Sequence, residues 1–304
     1  MNTKLLRQAI LVFSFICFWS NSTWAQLVLP QPSPRCGSRL TMGVTDLEID
    51  FGSPAVNGRV IWGGLVPYDE IWRAGANAAT WVSFSTEVSF GGKPVKAGKY
   101  ALYIIPSAGK EWAVALNSNE GQWGSTSFKE NLDIVRIEMS PSNAVPLRER
   151  LSFDLEYLNS SSANLRLHWE NMQLVIPISA DVKALGMNNV RKFFVDRPSD
   201  WYPCANAAIF ALEQGNDQAY ALDLALKAVR LNGEHFYPLW TLARVYAAKG
   251  EFREASEQAE QARLKGEAEN SDWYQGNAAD IAARKAEWTA KAVPVSPTGK
   301  KKGK

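Results

Sequence analysis

Residues 67–80 read Pro-Tyr-Asp-Glu-Ile-Trp-Arg-Ala-Gly-Ala-Asn-Ala-Ala-Thr. Arg73 sits there between Ile71-Trp72 and Ala74-Gly75, and Arg59 precedes Val60-Ile61-Trp62. An arginine among apolar and small residues is either buried in an ion pair or presented for two-pronged recognition of a carboxylate or a similar group. Asn77 and Thr80 add short hydrogen-bonding side chains, and Gly75 permits close backbone approach. Trp72 offers a flat ring, Tyr68 a phenol. Asn117, Gln122 and Trp123, in the segment 116–124, are placed to form an opposing wall. The candidate ligand-binding set is therefore Arg59, Tyr68, Trp72, Arg73, Asn77 and Trp123, and its ligand a small anion or a glycan. The alternative is that Arg59 and Arg73 pair with Asp69 or Glu70 and pin a long connection onto a sheet.

Two neighbouring acids beside an arginine also permit a hydrolase, with Asp69 or Glu70 dividing acid and base duties. Adjacent side chains diverge in a strand or a turn, which weighs against that pairing. Asp46, Glu48 and Asp50 share one strand face and could take a hard cation, but opposite Leu47, Ile49 and Phe51 they read as a solvated face. Nucleophile elbows, phosphate-cradling glycine loops, dinucleotide fingerprints and zinc-protease motifs are absent. The 2 histidines, His168 and His235, have no second His or Cys at ligand spacing, so neither a metal nor a cofactor is expected. Of the 12 tryptophans, Trp62, Trp72 and Trp123 lie in loop-like segments where a ring could stack on a sugar. Trp81, Trp112 and Trp169 in strands, and Trp201, Trp240, Trp273 and Trp288 at helical positions, read as packing.

The elements that must position these residues change character near Asp181. Before it, strict alternation in 45–51, 151–157, 165–169 and 172–178, with further strands at 80–90, 100–105, 111–116 and 134–139, gives about nine short strands and an antiparallel sandwich or barrel. After it, alanine-rich helical periodicity continues to Ala292. Two segments align through Gly215 and Gly250. Leu239, Leu242, Ala243, Tyr246, Gly250, Phe252, Ala255, Ala259 and Ala262 fall on the tetratricopeptide pattern of paired helices, with an amphipathic helix over 273–288 to cover the end. Two such repeats are fewer than the three or so usually needed, so the helices are expected to lean on the β domain. The fold class is α+β with two domains, 37–180 and 181–292.

The segment 67–80, with Gly52-Ser-Pro-Ala-Val-Asn-Gly-Arg-Val-Ile-Trp-Gly-Gly64 upstream, resembles an exported bacterial family known as a domain of unknown function, number twenty-nine eleven. The resemblance extends over roughly 36–290. It implies this fold and export, and it assigns no role to any residue.

Residues 1–25 read as a secretory leader: Lys4 and Arg7, an apolar run Ala9–Trp19, and a small-residue cleavage site at Thr23-Trp24-Ala25. That run, about 11 residues, falls short of a membrane span. Residues 26–36 form an N-terminal extension, and 293–304, ending Lys300-Lys-Lys-Gly-Lys304, a disordered basic tail. Removing the leader takes two positive charges from a formal +2 and leaves the chain neutral, without the footprint of a nucleic-acid binder. Cys36 and Cys204 are far apart in sequence, and either a bridge or two separate thiols fits them. The reading that results is a non-enzymatic envelope protein, periplasmic or secreted. Its β domain carries a small-ligand or glycan pocket and its helices dock a protein partner; a periplasmic hydrolase is the alternative.

Overall fold

The computed structural model describes residues 29–109, 111–119, 128–143, 145–196 and 200–292, so the leader, Gln122, Trp123 and the basic tail lie outside the described residues. Strands occupy Arg35 to Ser179 and helices Val182 to Ala292. The alternation read from the sequence is the alternation of burial: Leu47, Ile49 and Phe51 are buried while Glu48 between them is exposed.

Strands β1 (Arg35–Met42), β2 (Thr45–Gly52), β3 (Trp81–Phe84), β6 (Gly98–Ile105), β7 (Trp112–Asn117) and β8 (Asp133–Met139) form a six-stranded antiparallel sheet in the order β1-β2-β3-β6-β7-β8. The second sheet has five strands, β5 (Lys93–Val95), β4 (Val88–Phe90), β11 (Met172–Ser179), β10 (Ser162–Glu170) and β9 (Arg148–Asn159), in that order. Their inner faces share one core, in which Phe51 of β2 meets Phe153 of β9 edge-on at 5.2 Å.

Two elements differ from expectation. The single strand expected over 80–90 is two strands in different sheets: β3 pairs with β2 and β6, β4 with β11 and β5. Ser85–Glu87 carries the chain from one sheet to the other, a change that the shared alternation of both halves conceals. The N-terminal extension runs into an unexpected strand, β1, whose residues 35–42 are mostly exposed or half-buried at a sheet edge and so lack a strong apolar pattern.

The helices are α1 (Val182–Asp196), α2 (Trp201–Glu213), α3 (Gln218–Asn232), α4 (Phe236–Ala248), α5 (Phe252–Glu269) and α6 (Asp272–Ala292). Gly215 and Gly250 follow the ends of α2 and α4, and Gly250 takes φ +81, which glycine adopts without strain. Buried alanines, among them Ala208, Ala211, Ala225, Ala255 and Ala259, let neighbouring helices approach closely. Among the described residues no hydrophobic cluster contains buried residues of both regions, and the helices close clusters of their own. The regions meet at the β11–α1 junction, where Gly43 lies against Val182.

Cys36 and Cys204 are both free, the first on β1 and the second fully buried in α2. Burial pushes the Cys204 thiol up, with Lys227 opposing the shift. Among the described residues no helix is long and apolar enough to cross a membrane.

Candidate functional site

The segment 67–80 runs beside β6. Trp72 donates its N–H to the Ile104 carbonyl at 2.8 Å and accepts from Ile104 at 2.9 Å, and Leu102 then donates to Thr80 at 2.8 Å. Residues 73–79 are thus an excursion between two points of attachment to the same strand. Gly52 and Gly75 hold the excursion down: a side chain at Gly52 would collide with the Ala76 carbonyl, and one at Gly75 would meet the Thr80 hydroxyl at 2.8 Å. Close approach was the expected use of Gly75, and its object is backbone. Ala74, fully buried, has φ +54, and Asn77 has φ +63. The left-handed region costs a non-glycine residue about 1–2 kcal/mol, and packing together with the Thr80 hydroxyl, which donates to the Ala74 carbonyl at 2.8 Å, holds Ala74 there.

Extended backbone sends successive side chains to opposite faces, and here that separates the expected set. Trp72 enters the core between the sheets, where its ring meets Trp62 at 5.7 Å and Trp169 at 6.0 Å; Trp112 joins them 4.6 Å from Trp62. Trp62 and Trp72 are accordingly core residues rather than sugar platforms, a correction owed to loops that fold into the end of the sandwich. Arg59 is exposed, and its guanidinium serves its own turn, donating to the Val56 carbonyl at 3.0 Å and the Ala55 carbonyl at 2.6 Å. Asn77 donates to the Ser33 carbonyl at 3.2 Å and fastens the N-terminal segment. Tyr68 is exposed and lies across Gly63. The expected common pocket is therefore not assembled from these residues: Trp72 faces inward, Arg59 and Asn77 are committed to carbonyls, and Trp123 lies outside the described residues.

Nor do the acids pair with the arginines. Asp69 accepts from the Ser107 hydroxyl at 2.7 Å, and Glu70 is exposed. Asp46 and Asp50 are matched by Arg39 and Arg35, and among the described residues no group of three potential metal ligands occurs. His168 meets the Pro146 carbonyl at 2.9 Å, and His235 caps α4, its Nδ1 accepting from Tyr237 N–H at 3.1 Å.

Arg73 goes to the other face. On the outside of the six-stranded sheet, Ala101 and Tyr103 of β6, Ala115 of β7 and Ala79 form a separate buried cluster, with Ile71 and Phe128 packed at its margin. Tyr103 is fully buried and contacts Phe128 edge-on at 4.9 Å. Among the described residues its hydroxyl has no hydrogen-bond partner, and neither does the buried Nε of Arg73. A buried polar group left unpaired costs about 1–3 kcal/mol, so two together call for a reason. Burial pushes the Tyr103 phenol above its ordinary value; the Arg73 guanidinium pulls it down and Asp133 adds to the rise. Both charges therefore act on this hydroxyl.

Asp133 is not the missing partner. Its Oδ1 accepts from Asn117 Nδ2 at 2.9 Å, and its Oδ2 from Arg136 at 2.8 Å. Asn117, expected as part of a wall, is fully buried and also donates to the Lys129 carbonyl at 2.9 Å, so it fixes the return into β8. Alanines at 101 and 115 leave the sheet floor low. Toward the other end of β6, Lys99 stands 4.1 Å over the Trp81 ring. Arg73 and Lys99 thus set positive charge beside a buried apolar cluster that contains the Tyr103 hydroxyl. Tyr103 escaped the sequence reading, although a signal existed: Tyr100-Ala-Leu-Tyr-Ile-Ile105 is apolar at every position, the mark of a strand covered on both faces.

Fold and site together define an α+β protein, an antiparallel two-sheet domain followed by helices, in which Arg73 Nε and Tyr103 Oη are two of the buried polar atoms without a partner among the described residues. Residues 33–178 match the model of the family described as "protein of unknown function (DUF2911)", and the β domain of this chain belongs to that family. No curated protein matches the chain.

Proposed function

We propose that this is an exported, non-enzymatic binding protein whose β domain recognises a small anionic ligand at Arg73 and Tyr103. One observation carries the reading: a guanidinium Nε and a phenol hydroxyl, both buried donors and both without a partner among the described residues, lie close enough for the arginine's charge to act on the phenol. Two donors and one positive charge select an oxyanion, such as a carboxylate or phosphate group, and charge-assisted bonds of this kind are about twice as strong as neutral ones. Arg73 as a whole is only half-buried, so its terminal nitrogens remain within reach of solvent while Nε is covered. The strained Ala74 beside it fits a backbone held for a purpose other than connection.

The leader-like residues 1–25 support export, and helices of the tetratricopeptide type support a partner-docking role for 182–292. Exposed Tyr202 and Trp273, in edge contact at 5.9 Å at the starts of α2 and α6, are the residues a partner would meet first.

Calorimetric titration of the mature protein with phosphate, sulfate and small mono- and dicarboxylates tests the site. Saturable binding of at least one anion, lost in Arg73→Ala and weakened at least about tenfold in Tyr103→Phe, is the expected result. Binding that both variants retain in full would refute it.

A further inference from the structure

We propose that a second recess, at a loop end of the sandwich, binds a neutral sugar on Tyr68 and Glu111. The recess holds about 540 Å³, and Gly109, Trp112, Pro141 and Met172 are among the residues that line it. That volume falls in the range of small-molecule sites. Its lining combines one exposed aromatic ring with hydroxyls, an amide and one carboxylate: Tyr68, Ser107, Ser140, Asn143 and Glu111. Its one charged side chain among the described lining residues is Glu111.

Tyr68 is held in place with unusual thoroughness for an exposed side chain. Asp69 takes φ +58, donates its N–H to the Pro106 carbonyl at 2.7 Å and accepts from the Ser107 hydroxyl at 2.7 Å. The phenol ring lies over Gly63, where any Cβ would come within 2.6 Å of the ring. Trp112 forms the floor, its Nε1 donating to the Ser107 carbonyl at 3.1 Å, so the turn that carries Ser107 is anchored from below. A ring laid against Gly63 on a backbone anchored at Asp69 has already lost part of the freedom that binding would otherwise cost.

Ser140 donates to Glu111 Oε1 at 3.2 Å, which orients the carboxylate and leaves it further lone pairs. A sugar uses such a set fully: its C–H face covers the ring, and its hydroxyls donate to Glu111 and to the serine oxygens and accept from the Asn143 amide. A lone cation would satisfy the carboxylate and leave the hydroxyls and the amide without a role.

The test is calorimetric titration of the mature protein with glucose, N-acetylglucosamine, cellobiose and chitobiose at millimolar concentrations. The expected result is saturable binding of at least one sugar, weakened about tenfold or more in Tyr68→Ala and kept in Tyr68→Phe, which preserves the stacking face. Glu111→Gln should weaken it as well, and Arg73→Ala should leave it unchanged, so that failure here and failure of the anion site are told apart. No saturable heat with any of the four sugars overturns the proposal. So does wild-type affinity in Tyr68→Ala, or displacement of the sugar by equimolar tetramethylammonium, which would mark a cation site.

Discussion

The β domain and the helical region solve the same packing problem with opposite materials. The sandwich buries large side chains, Trp62, Trp72, Trp112 and Trp169 among them, and places its backbone under local constraint. Between β2 and β3 alone, Asn57, Asp69, Ala74 and Asn77 take positive φ. The helices bury alanines and keep their charges in surface pairs, with Glu260 held by Arg263 at 2.8 Å and by Lys285. Their positive-φ residues, Asn216, Gly250 and Asn270, stand at helix ends, where a left-handed residue stops a helix. The helical region thus accounts for its special positions through its own architecture. The segment 52–80 does not, and the excess is where the candidate chemistry lies.

The contrast predicts which changes hurt which half. Trp72→Ala removes an indole from a four-tryptophan contact and should destabilise the β domain by about 3–5 kcal/mol. Because no buried cluster spans both regions, amide exchange in the helices should stay as in the wild type, and loss of helix protection would break the comparison. Ala259→Leu is the converse test. Ala259 is fully buried between helices, and overpacking there should cost about 1–3 kcal/mol, read in helix protection with the strands unchanged. Gly52→Ala should cost a similar amount, about 1–3 kcal/mol or somewhat more, since the added methyl meets the Ala76 carbonyl rather than a side chain that can turn away.

The smallest effect concerns pH. Arg263 and Lys285 hold the Glu260 carboxyl down at about 2 from an ordinary value of 4.5. A depressed folded value contributes stability above the unfolded value and loses it as pH falls from about 4.5 toward 2. The loss should be small, because these pairs face water, and should appear in the helices alone. Glu260→Gln should flatten it in a melting series across that window.

Much of the architecture was legible in the residues. Period-two alternation marked most strands, and the change to alanine-rich periodicity placed the helices. The strand switch at Ser85–Glu87 was hidden because both halves alternate alike, and β1 because an edge strand buries little. Arg73 was legible as an arginine in apolar company, but its neighbours in sequence misled. Trp72 shares its segment yet faces the opposite way, and Arg59 and Asn77 spend their donors on carbonyls. The true neighbour, Tyr103, comes from a strand about thirty residues on, and the pairing of Trp72 with Ile104 brings the two together.

Tyr103→Phe tests the central claim most directly, because it removes one oxygen and nothing else. If the hydroxyl is a donor kept for a ligand, its loss relieves an unpaired buried group. The variant should then melt at or above the wild-type temperature in the absence of anions, and should lose the stabilisation that a bound phosphate or carboxylate gives the wild type. A variant that melts lower without ligand, and gains as much from the anion as the wild type, would show the hydroxyl to be structural and contradict the account.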